Sequence, residues 1–210
     1  MISLTTFLAF FAASLALALA PGPDNIFVLT QSALYGRKAG WLITLGLCTG
    51  LLGHTTAVVI GVAAIIKASA LAFTILKLAG AGYLLYLAWQ AFRAPASAIV
   101  VSSESAAGPD GARLYRRGII MNLTNPKVSI FFLAFLPRFV DPARGGVALQ
   151  MIALGATFIL ATILVFGGIA IAAGALGKWL QRSARTQIVM NRVAGAIFVA
   201  LALRLLATER

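Results

Sequence analysis

The sequence predicts an all-α, polytopic membrane protein, and this prediction rests on its composition and on its long apolar runs. Of the 210 residues, 61% are hydrophobic and only 10% are charged, and the mean hydropathy is +0.98. A soluble domain carries roughly 25% charged residues, because its surface contacts water. The runs are continuously apolar, without the alternation of membrane β-barrel strands, so we expect helices whose outer faces contact lipid.

Six runs are long enough for the roughly 20 apolar residues that a membrane-spanning helix requires. Each run contains at most one charged residue, and the six lie at 1–35, 39–66, 68–92, 118–137, 145–177 and 188–203. The first run is too long for one straight crossing and is interrupted by Pro21, Gly22 and Pro23. The fourth is interrupted at Asn125 and Pro126. We therefore predict six transmembrane helices, of which the first and the fourth are broken.

The positive charges predict how the chain is oriented. The loops after the first, third and fifth spans hold nine Lys and Arg residues, against three in the loops after the second and fourth. Cytoplasmic loops carry the excess of such residues, so both termini are predicted outside the cytoplasm. The net charge of +12 is explained by this bias, and no nucleic-acid partner is expected. Because no Lys or Arg precedes Arg37, residues 1–20 lack the positive region of a signal peptide and are expected in the mature protein.

The two halves of the chain resemble each other. A polar stretch at 94–112 is expected to be a cytoplasmic linker between an N-terminal repeat at 1–93 and a C-terminal repeat at 113–210. The segment KLAGAGY at 77–83 is echoed by RVAGAIF at 192–198. Three spans per half invert the second half relative to the first. Inverted repeats whose broken helices lie in corresponding positions are typical of secondary transporters, which bind substrate near the midplane.

Asp24 and Lys127 are the most deeply placed charges, one in each half. A rise of 1.5 Å per residue puts Asp24 roughly 20 Å from a boundary at Arg37, and Lys127 about 15 Å from a boundary at Arg117. Buried charges are costly unless they are paired or hydrated. A zwitterion satisfies both, with its amine at Asp24 and its carboxylate at Lys127. Asp24 is also the candidate proton carrier of an antiporter. The alternatives are a capping role for Asp24 and a snorkelling amine for Lys127.

Three asparagines near the breaks are further candidates for substrate binding. Asn25 and Asn125 stand where new half-helices start, and the positive ends of half-helices favour an anion. Asn122 lies on the same helix face as Asn125. In an unbroken helix Lys127 lies roughly 200° from Asn125, so both reach one site only through a distorted break at Pro126. Helix–helix hydrogen bonding is the alternative role for the asparagines.

Three other polar residues are candidates for the pathway. Gln31 shares a face with Asp24, and Ser129 shares a face with Asn125. His54 is a candidate for proton or substrate contact, with hydrogen-bonded packing as the alternative. Glycines at 46, 50 and 53 predict a close helix approach in the second span.

The sequence does not predict an enzyme. The motifs Gly-x-Ser-x-Gly and His-Glu-x-x-His and the Walker-type phosphate loop are absent from it. A single His, a single deep acid and a single Cys, Cys48, are too few for a metal site, and no cofactor is expected.

Several segments of the chain resemble the LysE/RhtB-type amino-acid exporters. They are PGPDN at 21–25, GRKAG at 36–40, KLAGAGYLLYL at 77–87, NLTNPK at 122–127 and FLP at 135–137. The similarity covers essentially the whole chain. It implies a multi-pass exporter of amino acids or related metabolites in the bacterial inner membrane, driven by the proton gradient.

These observations together predict a secondary transporter that exports a small zwitterion by alternating access and proton antiport. The expected partners are an amino-acid substrate, protons and the lipid bilayer. A homodimer is one assembly that the sequence allows, and the sequence does not determine the oligomeric state. Two alternatives stay open at this point. One is efflux of another small ion or metabolite, and the other is a membrane assembly subunit that transports nothing and needs no wet cavity.

Overall fold

The structure, a computed structural model, describes residues 2–68, 70–94, 110–182 and 184–207, and every regular element in these ranges is helical. The elements are α1 (Leu4–Leu19), α2 (Pro23–Tyr35), α3 (Arg37–Ala68), α4 (Ala70–Arg93), α5 (Gly111–Leu123), α6 (Pro126–Ile130), a π-helical turn (Phe131–Phe135), two 3-10 turns (Leu136–Phe139 and Pro142–Arg144), α7 (Val147–Arg182) and α8 (Ala184–Ala207). The predicted class, an all-α polytopic membrane protein, is confirmed.

Three helices in the described part of the chain are long and apolar enough to cross a membrane by themselves, at Arg37–Gly61, Val147–Ala173 and Gln187–Ala207. Two bent helix pairs raise the number to five if each pair forms one crossing. The remaining predicted span, at 68–92, corresponds to α4, which packs along α8. The count of six crossings stays a prediction.

Both interruptions lie where the sequence places them. The axis bends by 63° between α1 and α2, and by 50° between α5 and the segment Pro126–Phe139. Proline has no backbone N–H and clashes with the preceding turn, so α1 ends before Pro21 and α6 starts at Pro126. Each half therefore begins with two short helices that meet at an angle, followed by a long helix and a shorter one.

The predicted linker at 94–112 lies mostly outside the described residues, but its last part does not. The helix α5 begins at Gly111, and the Asp110 side chain accepts a hydrogen bond from the Ala112 backbone N–H at 3.2 Å. Asp is a preferred N-cap residue, because its carboxylate satisfies a free N–H of the first turn. The helix therefore starts two residues earlier than the sequence boundary of 113.

The helices of the two halves interlock. The first broken pair, α1 and α2, packs against α7 of the second half, while α5 of the second half packs against α3 of the first. The contact between α3 and α5 is close, because an added Cβ at Gly46 would collide with the Tyr115 carbonyl oxygen, and one at Gly118 would lie 2.5 Å from the Ile43 carbonyl oxygen. The predicted close approach along the glycines of the second span is thus present.

The surface is apolar along the long helices. Exposed fractions reach 69% at Ile60, 69% at Leu149 and 60% at Ile171. The core lies between the helices and is rich in phenylalanine, leucine and alanine, with Phe10, Phe131 and others fully buried. A molecule that is apolar outside as well as inside fits a lipid environment and is unsuited to water.

Candidate functional site

The two helix breaks meet in the middle of the helical bundle. The Asn125 Nδ2 donates a hydrogen bond of 2.6 Å to Asp24 Oδ2, although the two residues are 101 positions apart in the chain. Both residues are buried, with 3% of the surface exposed at Asp24 and 5% at Asn125. The contact joins the first turn of α2 to the start of α6, so each half of the chain contributes one broken helix to the same point.

Asn125 owes its position to its role as a helix cap. Its backbone is extended, with φ −76° and ψ 107°, and its Oδ1 accepts a hydrogen bond of 3.0 Å from the Lys127 backbone N–H. With one end of the amide capping α6 and the other bound to Asp24, the side chain bridges the two halves. The extended backbone at Asn125 is also the distortion that lets Lys127 reach the same site.

Lys127 is buried and turns toward α1. Its Nζ donates to the carbonyl oxygens of Leu17 at 3.2 Å and Ala20 at 3.1 Å. These carbonyls belong to the end of α1, where a helix carries unsatisfied acceptors and partial negative charge. Within 4 Å the described ion pairs are confined to Arg144 and Asp141, so Lys127 and Asp24 share the site without a direct ion pair.

Asn25 completes the closure of the first break. Its Nδ2 donates a hydrogen bond of 2.8 Å to the Ala18 carbonyl oxygen. Together with Lys127, it provides donors for carbonyls that the interruption at Pro21 leaves without helical partners. Gly22 lies beside this arrangement, and an added Cβ there would be 3.2 Å from the Lys127 Nζ. Because Gly22 has no side chain, it leaves room for the ammonium group of Lys127.

Asn122 lies in the last turn of α5, next to the site. His54 Nε2 donates to its carbonyl oxygen at 3.1 Å, which fixes the His54 tautomer as protonated on Nε2. The Asn122 side chain packs against Gly50, where an added Cβ would lie 2.7 Å from its Oδ1. His54 thus contacts the site through the backbone of Asn122, which agrees with the packing alternative for this residue.

Three buried oxygen atoms at the site have no hydrogen-bond donor. They are Asp24 Oδ1, Asn25 Oδ1 and Asn122 Oδ1. A buried polar atom without a partner costs about 1–3 kcal/mol, so such atoms are rare in folded proteins. All three are acceptors, and the site therefore fits a ligand that brings N–H or O–H donors, such as an ammonium group.

A small cavity of about 10 Å³ lies at this point. Its polar lining consists of Asp24, Asn122, Lys127 and Thr162, and its apolar lining of Leu17, Ala18, Leu47, Val128, Phe158 and Phe166. A cavity of this size holds about one water molecule. The sequence predicted a hydrated pocket for a zwitterion, but in this conformation the site is closed and must widen before an amino acid enters.

A cluster of aromatic rings extends from the cavity lining into the core. Phe158, which lines the cavity, lies 5.2 Å from Phe131, Phe131 lies 4.8 Å from Phe135, and Phe135 lies 5.1 Å from Phe139, all between ring centroids. Phe10 contacts Phe131 and Phe139 at 5.6 and 5.1 Å. We call these five residues the aromatic plug. Two of them lie on the π-helical turn that follows α6.

The predicted site residues separate into two groups. Asp24, Asn25, Asn122, Asn125 and Lys127 come together at the two breaks formed by Pro21, Gly22, Pro23 and Pro126. Of these five, Asp24, Asn122 and Lys127 line the cavity, whereas Asn25 and Asn125 contact the breaks through hydrogen bonds. Gln31, His54 and Ser129 do not line the cavity. The Ser129 hydroxyl donates to the Asn125 carbonyl oxygen in its own helix at 3.1 Å. Roles in the pathway for these three residues stay predictions.

The helix α7 contributes to the site, which was not predicted from the sequence. Phe158, Thr162 and Phe166 line the cavity, and Thr162 is buried with 2% of its surface exposed. Their spacing of four residues places them on one helix face, and Thr162 is one of three polar residues in the run at 145–177, with Gln150 and Thr157. That spacing was the available signal, but it does not show which face of α7 points inward. The oxygens of Leu17 and Ala20 that accept hydrogen bonds from Lys127 belong to the backbone, so side-chain types could not predict their role.

Comparisons with known proteins place the chain among transporters. The family model of the LysE type translocators matches residues 15–209. An "uncharacterized membrane protein" of Vibrio cholerae is 35% identical over 205 residues, which are 97% of each chain. The homoserine/homoserine lactone efflux protein of Salmonella typhimurium is 35% identical over 191 residues, which are 91% of each chain. The membrane protein YrhP of Bacillus subtilis is 29% identical over 199 residues. No solved structure matches the chain.

Proposed function

The chain belongs to the LysE type translocator family, and we propose that it exports small zwitterionic amino acids or related metabolites by proton antiport. The observation that carries this proposal is the contact between Asp24 and Asn125, where two broken helices meet around a buried cavity. A relative named for homoserine and homoserine lactone efflux makes these two compounds the first substrates to test.

Asp24 is proposed to exchange a proton for the substrate ammonium group. Its Oδ2 is held by Asn125, while its Oδ1 has no donor in this conformation. The ionised carboxylate accepts hydrogen bonds from an ammonium group, whereas the protonated form is neutral and releases it. Binding of a proton from one side therefore displaces the amine, and loss of that proton on the other side restores the site. This alternation gives antiport.

Lys127 is proposed to bind the substrate carboxylate. Its ammonium group has three N–H donors, and two carbonyl oxygens of α1 hold it in the closed conformation. Lys127 also lines the cavity beside Asp24, so an amino acid between the two meets an acceptor at one end and a cation at the other. Export of homoserine lactone, which has no free carboxylate, would depend less on this contact.

The closed cavity fits a transporter between its two open states. We propose the aromatic plug, which begins at Phe158 in the cavity lining, as one barrier. The second proposed barrier is the contact of the Arg117 guanidinium with the Phe27 ring, 4.6 Å from its centre, which links α5 to α2. Opening one of these barriers at a time, with hinges at the two breaks, is the alternating access that we propose.

The location of the chain ends supports an even number of crossings. Thr5 and Thr6, in the first turn of α1, line the same surface cavity as Arg204 and Leu205, near the end of α8. Both ends of the described chain thus lie on one side of the molecule. The excess of positive charge in the odd-numbered loops favours that side as the outside of a bacterial inner membrane.

Substitution of Asp24 tests the proposal directly. We expect Asp24→Asn to reduce proton-coupled efflux of L-homoserine from membrane vesicles by about tenfold or more, because an amide neither ionises nor carries the proton. Efflux is followed with labelled homoserine while an imposed pH gradient is varied. The matched control is Asp110→Asn, which changes an exposed acid at the α5 N-cap to another good capping residue. Full gradient-driven efflux by Asp24→Asn would contradict the coupling role.

A further inference from the structure

A second cavity lies at the end of the molecule where α1 begins and α8 ends. It has a volume of about 280 Å³, far larger than the central cavity. Thr5, Thr6, Arg138, Asp141 and Arg204 contribute the polar part of its lining. Two guanidinium groups in one cavity attract an anion, and the positive end of the α1 dipole acts in the same direction.

Both arginines are held in place by the surrounding structure. Arg138 donates from Nη2 to the Leu205 carbonyl oxygen at 3.1 Å, and the Arg204 guanidinium carbon lies 5.0 Å from the centre of the Phe139 ring. The first contact ties the segment after the π-helical turn to α8, and the second ties α8 back to that segment. The positive charge of the cavity is therefore built into the packing of two elements that are distant in the sequence.

We propose that this outer cavity is a second binding site, which takes the carboxylate of a small amino acid. A guanidinium is a planar fork of N–H donors that matches a carboxylate in two parallel hydrogen bonds. Asp141 lines the same cavity, and its two carboxylate oxygens already bind the Ala143 N–H and Arg144. A carboxylate has about four acceptor positions, so Asp141 keeps capacity for the ammonium group of a zwitterion. The cavity is large enough for a compound of this size, whereas the central cavity in this conformation holds about one water molecule.

The outer site is separated from the central one by the aromatic plug. Phe158 lines the central cavity, Phe135 and Phe139 line the outer one, and Phe131 contacts both Phe158 and Phe135. An amino acid that passes the plug thus moves from Asp24 and Lys127 directly to a second pair of charges. The inference depends on the proposed function only for the choice of an amino acid as ligand.

The phosphate of a lipid headgroup offers a similar oxyanion, so the experiment must separate the two sources. Binding of labelled L-homoserine to the purified protein is measured by equilibrium dialysis in nanodiscs of neutral phosphatidylcholine and, in parallel, in nanodiscs with phosphatidylglycerol. The variants are Arg204→Gln, at the outer site, and Arg113→Gln, which removes the same charge from an exposed position on α5. Homoserine lactone serves as the probe that keeps the amine and lacks the carboxylate.

The expected stoichiometry in phosphatidylcholine is two homoserine molecules per chain for the natural protein and for Arg113→Gln, and one for Arg204→Gln. The lactone is expected to bind the outer site about tenfold or more weakly, since it lacks the group that the arginines contact. One bound homoserine that Arg204→Gln removes supports the outer site and counts against the central one. One bound homoserine that Arg204→Gln leaves unchanged overturns the outer site, as does the absence of binding.

Two further results distinguish a lipid headgroup from an amino acid as the ligand, and the outer cavity from the central one as the site. The unfolding temperature is measured in the same two kinds of nanodisc. If phosphatidylglycerol raises it for the natural protein but not for Arg204→Gln, and no homoserine binding depends on Arg204 in either lipid, the cavity is a lipid site and the proposal is overturned. In Lys127→Met, whose central site is disabled, we expect one bound homoserine that still depends on Arg204. If that variant binds homoserine independently of Arg204, the outer site is again overturned.

Discussion

At the scale of single residues, Lys127 and Asn25 stabilise the first helix break and also belong to the proposed site. Their nitrogen atoms satisfy the carbonyls of Leu17, Ala18 and Ala20 at the end of α1, and in doing so they make a helix break tolerable inside an apolar bundle. Lys127 also lines the cavity, and the Oδ1 atom of Asn25 is one of the three unpaired acceptors near it. Under the proposed function, a substrate carboxylate bound by Lys127 would replace the contacts of its Nζ with Leu17 and Ala20, so these carbonyls would have to change partners.

Replacement of Lys127 tests this double role. We expect Lys127→Met to lower the affinity of the central site for L-homoserine about tenfold to a hundredfold, because a charge-assisted hydrogen bond contributes about 1.5–3 kcal/mol. The measurement is made in an Arg204→Gln background, so that the outer cavity does not contribute. The affinity for homoserine lactone should fall much less, since the lactone has no carboxylate. Competition binding on the purified protein in nanodiscs measures both. An equal loss for the two compounds would show that Lys127 acts only on the structure of the break.

At the scale of elements, glycines decide how closely α3 lies to its neighbours. Gly46 and Gly118 bring the backbones of α3 and α5 together, and Gly167 of α7 leaves room for the Trp41 ring of α3. The close approach positions His54 and Gly50 against Asn122, next to the cavity. The helix α3 is thus the fixed element against which the second broken pair is placed, and a change in its contacts is expected to shift the site.

A methyl group at Gly46 tests this arrangement. Gly46→Ala forces a Cβ onto the Tyr115 carbonyl oxygen, and a backbone atom cannot move aside by changing rotamer. We expect a loss of about 1–3 kcal/mol in the free energy of unfolding, the usual cost of overpacking. Thermal unfolding in detergent measures the change. Gly61→Ala is the control on the same helix, because an added Cβ there meets no atom within 4 Å. If both variants unfold at the same temperature, the close approach does not support the fold.

The elements also show what the sequence could and could not predict. Proline positions and long apolar runs predicted where α1 and α5 are interrupted, because breaking a helix is a local property of the chain. The contact of Asp24 with Asn125 was expected only as a shared site, and its direct hydrogen bond depends on the extended backbone at Asn125. Packing decides that the face of α7 with Thr162 points inward. The sequence of a largely apolar helix does not reveal which face this is.

At the scale of the whole molecule, the helices of each half pack mainly against helices of the other half. The broken pair of each half packs against the long helix of the other, and α4 packs against α8. The helices α3 and α7 also pack against each other, so the two long helices connect the two broken pairs. This arrangement supports the proposed inverted repeat and gives the proposed alternating access a mechanical basis. It also explains why residues from both halves are needed for one site.

Fusions to the chain test the predicted orientation. Alkaline phosphatase, which is active only outside the cytoplasm, should be active when it is fused after Arg210 and inactive when it is fused after Ala94. A fluorescent protein that folds in the cytoplasm should give the opposite pattern. The positive charges of the odd-numbered loops are the physical reason. The reversed pattern would contradict the orientation and would place the outer cavity at the cytoplasmic face.

The central claim is that two broken helices enclose a site that water and substrate reach within the bundle. The most direct measurement is thiol accessibility of Thr162→Cys in a Cys48→Ala background, since Thr162 lines the cavity and is otherwise buried. In vesicles, we predict slow reaction with a charged, water-soluble methanethiosulfonate reagent and protection by L-homoserine. Leu160→Cys, at a lipid-facing position with 45% exposure, should not react. A cysteine at position 162 that stays as inert as the one at 160, with substrate and without it, would contradict the account.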